Sequence, residues 1–162
     1  MDALAQVPLT MATTSGIFTG TSSFGANTTY ATTATINFAI KGSFATAKTA
    51  VTGGTTPTTD GNTAAAITLT AGNGTVVVWG MNSSGTVSVY QGSTTALDAA
   101  GKFVLAPQFP PIPDTICPFA YHVIKADSTA STWTFGSSNW NATGLSHSAV
   151  NVMTLPARPQ IA

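Results

Sequence analysis

Turn signals recur along this chain about every 8–12 residues, and the segments between them are short and alternate apolar with Thr, Ser or Asn. That rhythm is the strongest constraint on the fold, because short segments joined by tight turns stack as antiparallel strands. The residue supply agrees with it. Thirty of the 162 residues are Thr and none is Glu. β-Branched Thr favours strands, whereas a long helix or coiled coil draws on Glu, Lys, Arg and Leu.

The clearest unit is 64–91. Ala65 to Thr70 reads as a strand, Ala71-Gly72-Asn73-Gly74 as a turn and Thr75 to Met81 as a strand. Asn82-Ser83-Ser84-Gly85 is a second turn, and Thr86 to Gln91 a third strand. Asn and Gly supply the positive φ of tight hairpins, so the spacing predicts a three-stranded meander. Val76 and Val78 alternate with Val77 and Trp79, which places the middle strand at a sheet centre covered on both faces.

Elsewhere, Tyr30, Ile36, Phe38 and Ile40 alternate along a strand over 30–40, ended by Lys41-Gly42. Residues 43–51 hold a short strand or a turn of helix, and 52–62 are a loop rich in Gly, Thr and Pro. Lys102 to Ala106 reads as a short strand. Phe119 to Ile124 is another, with Ser131 to Phe135 pairing back on it across a turn at 126–130. Val150, Val152 and Leu155 mark the last strand. Ala12 to Asn27 shows no periodicity and reads as an extended arm. The expectation is an all-β chain: an arm over 1–29, an antiparallel β-sandwich or barrel-like domain over 30–156, and a tail over 157–162.

Charge then limits function. Five basic and five acidic residues make up only 6% of the chain, with a net charge of zero. A nucleic-acid partner is excluded, since five cations cannot supply the counterion-release energy such binding needs. No apolar run reaches the roughly 18 residues of a membrane helix. The start, Met1-Asp2-Ala3-Leu4, carries an acid where a secretory signal carries Lys or Arg.

Catalytic and metal-binding patterns are absent as well. His122 and His147, with Asp114 and Asp127, lack the spacing of a ligand motif, and His122 reads as a face residue of a strand. Ser146-His147-Ser148 has neither an elbow of the Gly-x-Ser-x-Gly type nor an orienting acid. The single Cys117 has no basic neighbour and reads as a small buried residue. We expect no enzyme, no cofactor and no metal.

A chain with so little charge suits repeated packing. Thr, Ser and Asn hydrate a surface without long-range repulsion, and they lose less side-chain entropy on burial than Lys. Interface candidates follow from the apolar residues in irregular segments. Phe109, Pro110, Pro111 and Ile112 lie in a segment with four prolines, which is either a crossover connection or a rigid ridge that docks into a neighbour. Trp140, in the polar loop Ser137-Ser138-Asn139-Trp140-Asn141, is an anchor closing one end of the domain or an interface residue. Phe18 and Phe24 are the aromatic candidates of the arm. Trp79 and Trp133 read as core.

Three stretches carry a resemblance. Residues 53–87, including Val76-Val77-Val78-Trp79-Gly80-Met81-Asn82, Pro107-Gln108-Phe109-Pro110-Pro111-Ile112-Pro113-Asp114, and Trp133 to Thr143 are similar in phrase and composition to small structural proteins of tailed-bacteriophage virions. The likeness spans about residues 50–156. Within such virions it looks most like a capsid decoration, or cement, protein. The resemblance implies a homotrimer or homodimer on the outside of the head, assembled in the host cytoplasm and bridging major capsid protein subunits. Rival readings are a fibre adhesin that holds a host glycan on Trp140 and Trp133, and a tail or neck component.

Overall fold

The computed structural model describes residues 10–13, 17–18, 24 and 28–160. Eleven strands are found among them: β1 (Met11–Ala12), β2 (Thr29–Tyr30), β3 (Phe38–Ile40), β4 (Ser43–Phe44), β5 (Gly54–Thr55), β6 (Thr68–Leu69), β7 (Asn73–Met81), β8 (Val87–Ala96), β9 (Cys117–Ala126), β10 (Trp133–Thr134) and β11 (Leu145–Asn151). The fold is all-β and antiparallel between strands. One four-stranded sheet, in the order β11-β9-β7-β8, carries the molecule, and three small sheets, β1-β3-β4, β2-β5 and β10-β6, surround it.

The run Val76-Val77-Val78-Trp79 explains the layering. It lies in β7, between β8 and β9, and all four side chains are fully buried. Successive side chains of a strand point to opposite faces, so both faces of this sheet need cover. On one face Val77, Trp79, Met81 and Ile124 meet Ile17, Phe18, Phe24, Ile36, Phe38 and the aromatic trio Trp133, Phe135 and Trp140. On the other, Val76, Val78, Tyr90, Tyr121 and Val123 lie under Phe103, Phe109, Ile112 and Ile116, with Val150, Val152 and Leu155 beside them. Strands apolar on one side only would have needed a single cover.

Local turns follow the sequence closely. Lys41 and Gly42 have φ of 51° and 77°, the pair of positive values a two-residue hairpin turn requires, and Ile40 pairs with Ser43 across them. Asn82 Oδ1 accepts from the N–H groups of Ser84 and Thr86, which folds the β7–β8 connection back on itself.

Pairing between distant segments differs from expectation. The meander over 64–91 does not form. β6 pairs with β10, and the edge of β7 that it was expected to occupy is taken by β9. The ten-residue β9 offers a far longer ladder than the two-residue β6. The return partner of β9 is β11, not 131–135. Residues 102–106 make a single bridge, Leu97 with Phe103, and no strand.

The boundaries shift too. The described residues of the segment read as an arm belong to the domain. Met11 and Ala12 pair with Ala39 and Phe38, and Ile17, Phe18 and Phe24 are core. Apolar side chains spaced too irregularly for a strand or helix plug the open face of the sheet one at a time. The rest of 1–29 lies outside the described residues. At the other end Pro159 is buried and Gln160 N–H donates to the Tyr121 hydroxyl, so the tail over 157–160 also packs on the sheet.

The outer edge of β8 is closed by a buried acid. Asp60 accepts from Gln91 N–H with Oδ1 (2.8 Å) and from Thr63 N–H and Oγ1–H with Oδ2 (2.9 and 2.8 Å). Gly61 N–H donates to the Val89 carbonyl, and further along Ser93 N–H donates to Gln108. The carboxylate thus ties the 57–66 loop to the sheet and occupies main-chain donors an exposed edge would leave open. Asp60→Ala strands those donors and is expected to lower the unfolding free energy by about 2–3 kcal/mol, while Asp60→Asn loses less; urea denaturation measures both.

Candidate interaction surfaces

Among the described residues, no group of three or more His, Cys, Asp or Glu could hold a metal ion. Cys117 is fully buried, and burial pushes its thiol up to about 11, so it carries no nucleophilic thiolate at neutral pH.

The histidines lie together, His122 inside and His147 half-buried. β7 and β9 place Val77 opposite His122, and β11 places Ala149 on the far side of it. Trp79 Nε1–H donates to His122 Nδ1 at 2.8 Å. That bond assigns the tautomer: neutral His122 carries its proton on Nε2, which has no partner. Around the imidazole stand Trp140, stacked at 5.0 Å between centroids, Phe24 at 4.4 Å, Phe18 at 5.9 Å and His147 at 5.5 Å. No acid faces it among these neighbours. Burial, and next the nearby His147, hold His122 well below its ordinary 6.5, and burial lowers His147. His122 is thus a core residue held neutral, and His147 beside it is half-buried.

The interface candidates divide. Trp140 is 1% exposed, packed among Phe24, Trp133 and Phe135, and Trp133 Nε1–H donates to the Asn139 carbonyl beside it. It closes the domain. The polar loop around it is only the rim of a socket, so it is not a surface anchor. Phe18 and Phe24 are likewise core rather than contact residues. The proline segment is the crossover from β8 to β9. Phe109 stands edge-on to Tyr121 at 5.0 Å, Pro110 is buried, and Ile112 packs on the same cluster. Without ladder donors the segment cannot join the sheet, so it lies on it as a lid. Of the four, Pro111 is the exposed one. Neither Trp133 nor Trp140 offers the open indole face that a glycan platform requires.

Three other large apolar side chains are exposed. Phe44, just past the β3–β4 turn, is 92% exposed, and Val104 and Leu105, at the root of the proline segment, are 62% and 70% exposed. The hairpin is braced: Lys41 Nζ meets Asp114 Oδ2 at 2.6 Å, and Lys41 N–H donates to Thr10. The ion pair is open to water and contributes at most about 1 kcal/mol, so it orients more than it stabilises. Sequence reading placed 43–51 in a short strand or a turn of helix and 102–106 in a strand, where part of the side chains are buried, and so passed over all three. The cue available was position: each follows directly on a turn or precedes a proline run, where the chain leaves the sheet.

The surface hollows differ in lining: one of about 160 Å³ gathers Lys125, His147, Ser146 and Ser148. One of about 290 Å³ lies between the 129–132 turn and the 142–145 turn, lined by Thr129, Thr132, Ser138 and Thr143 among others, with no ionisable group. Scanned against protein-family models, curated proteins and solved structures, the chain has no match in any of the three.

Two outcomes follow from this geometry. Trp140→Ala is expected to lower the unfolding free energy by about 3–5 kcal/mol, as for a large core truncation; a loss under 1 kcal/mol, measured in urea, would place the ring at the surface instead. The histidines set an acid limit. Both titrate lower in the fold than in the unfolded chain, so stability is full above pH about 6.5 and falls as pH drops below it. The melting temperature is expected to decline from pH 7 to 5. His122→Gln should flatten that slope even though it is less stable at pH 7, and a flat wild-type profile would contradict this reading.

Proposed function

We propose that this chain is a virion structural protein that decorates a tailed-phage head and stabilises it by bridging major capsid protein subunits. The observation that carries the reading is the pairing of a nearly uncharged surface with a few exposed apolar side chains, Phe44 on a braced hairpin and Val104 and Leu105 at the root of the proline segment. Exposed large apolar groups on rigid projections are costly for a dilute solute and useful as plugs in a neighbour's pocket. Low charge lets many copies and many shell subunits meet without mutual repulsion. The closed core, with His122 and the three indoles sealed inside, supports a role in contact rather than turnover. Each contact can be weak, because a copy held at one subunit presents its other plug at high effective concentration.

The test uses particles from cells carrying the genome that encodes the chain. The chain is expected to co-purify with heads through a density gradient and to appear by electron microscopy on their outer surface, touching the major capsid protein. Phe44→Ser should fold normally by circular dichroism yet reduce occupancy on heads stripped of the chain by about tenfold or more. Absence from purified heads, or density confined to the tail, would reject the proposal.

A further inference from the structure

The carrier sheet has two edges, and the fold treats them differently. Along β8 the outer groups are met by Asp60, Gly61 and Gln108, and Val104 N–H donates to Ala96. Along β11 nothing among the described residues pairs with the outer side of 146–150. The ladder shows which groups are left. Asp127 N–H donates to Gly144 and Val152 N–H to Phe119, both at 2.9 Å. Bonded and non-bonded pairs alternate in an antiparallel ladder, and the register runs unbroken from Leu145–Ala126 to Asn151–Ala120. Ser146, Ser148 and Val150 therefore exchange their main-chain bonds with β9. The N–H and C=O of His147 and Ala149 point outward, away from the sheet.

Among the described residues, none of the usual guards stands on this edge. Leu145-Ser146-His147-Ser148-Ala149-Val150-Asn151 contains no Lys, Arg, Asp, Glu or Pro, and its register with β9 has no bulge. The His147 side chain turns inward against Trp140 and Phe24. Ser146 and Ser148, exposed on the other face, are small enough to let a second backbone approach.

We infer that β11 is a homodimer seam, in which the β11 strands of two copies pair antiparallel about a two-fold axis at Ser148. The strand is its own complement in that register. His147 of one copy stands opposite Ala149 of the other and exchanges both main-chain bonds with it, and the axis generates the same pair again. Leu145 faces Asn151, and Ser148 faces Ser148. No like charges meet, no bulky pair collides, and the two four-stranded sheets become one of eight. A two-fold closes at two copies, so the seam limits assembly to a dimer. It forms in the isolated chain and does not require a shell, so it stands or falls separately from the capsid proposal.

Sedimentation of the full chain tests it, with amide hydrogen exchange as a second readout. The wild type is expected at about twice the 16.4 kDa of one chain at tens of micromolar, with the His147 and Ala149 amides protected. Ser148→Lys places two ammonium groups across the axis on an exposed position. It should weaken dimerisation by about tenfold or more and expose those two amides, with the circular dichroism spectrum unchanged. Ala149→Pro removes an outward donor and leaves the bonds to β9 intact, and should act the same way. A monomer at 100 µM (about the upper end of such assays), a trimer, or a dimer indifferent to Ser148→Lys would overturn the seam. Fast exchange of the two amides in the wild type would do the same.

Discussion

Burial of β7 and β9 on both faces is the condition from which the rest of the molecule follows. A sheet with one wet face needs one cover; this one needs two, and the described residues include no helix to supply either. It builds one cover from isolated aromatic plugs and short strand pairs, the other from a proline crossover and the C-terminal stretch. The ladders of the first cover are only two residue pairs long. Each cover is held by side-chain packing and a few long-range hydrogen bonds, such as Phe18 with the Asn151 side chain, 133 residues apart.

The same condition shapes the polar groups inside. A Trp and a His facing each other across neighbouring strands would both be costly if unpaired, and one hydrogen bond between them removes two of the three buried demands. Asp60 does related work at a sheet edge, with its carboxylate spread over three donors from two segments. Few buried polar groups are present, and their placement fixes which segment lies where. Register along a two-sided apolar strand is otherwise weakly specified, because neither face is marked by polarity.

What the sequence made legible was local. The alternation in 76–79, the Asn and Gly turns and the strand at 119–124 all lie within one reading window, and the all-β class follows from them. Partner choice was not legible, since β6 meets β10 and β9 meets β11 across intervals that no periodicity spans. The core roles of Phe18, Phe24 and Trp140 were hidden for a related reason. Each is a single large ring in a stretch of Thr, Ser, Gly or Asn, and burial there depends on a cavity made by remote residues. The clue, weak by itself, was the crowding of Trp133, Phe135 and Trp140 into eight residues. Phe44 and Leu105 were missed in the opposite sense, as apolar residues whose strand-like surroundings suggested burial.

The scarcity of ionised groups has one more consequence. Lys41 and Asp114 form the one ion pair between described side chains, and water reaches both. Cohesion here comes from apolar contact and neutral hydrogen bonds, which a sea of mobile ions scarcely screens. Brine that would loosen a protein laced with surface charge finds few ion pairs to screen here, so salt acts on this fold chiefly through apolar burial.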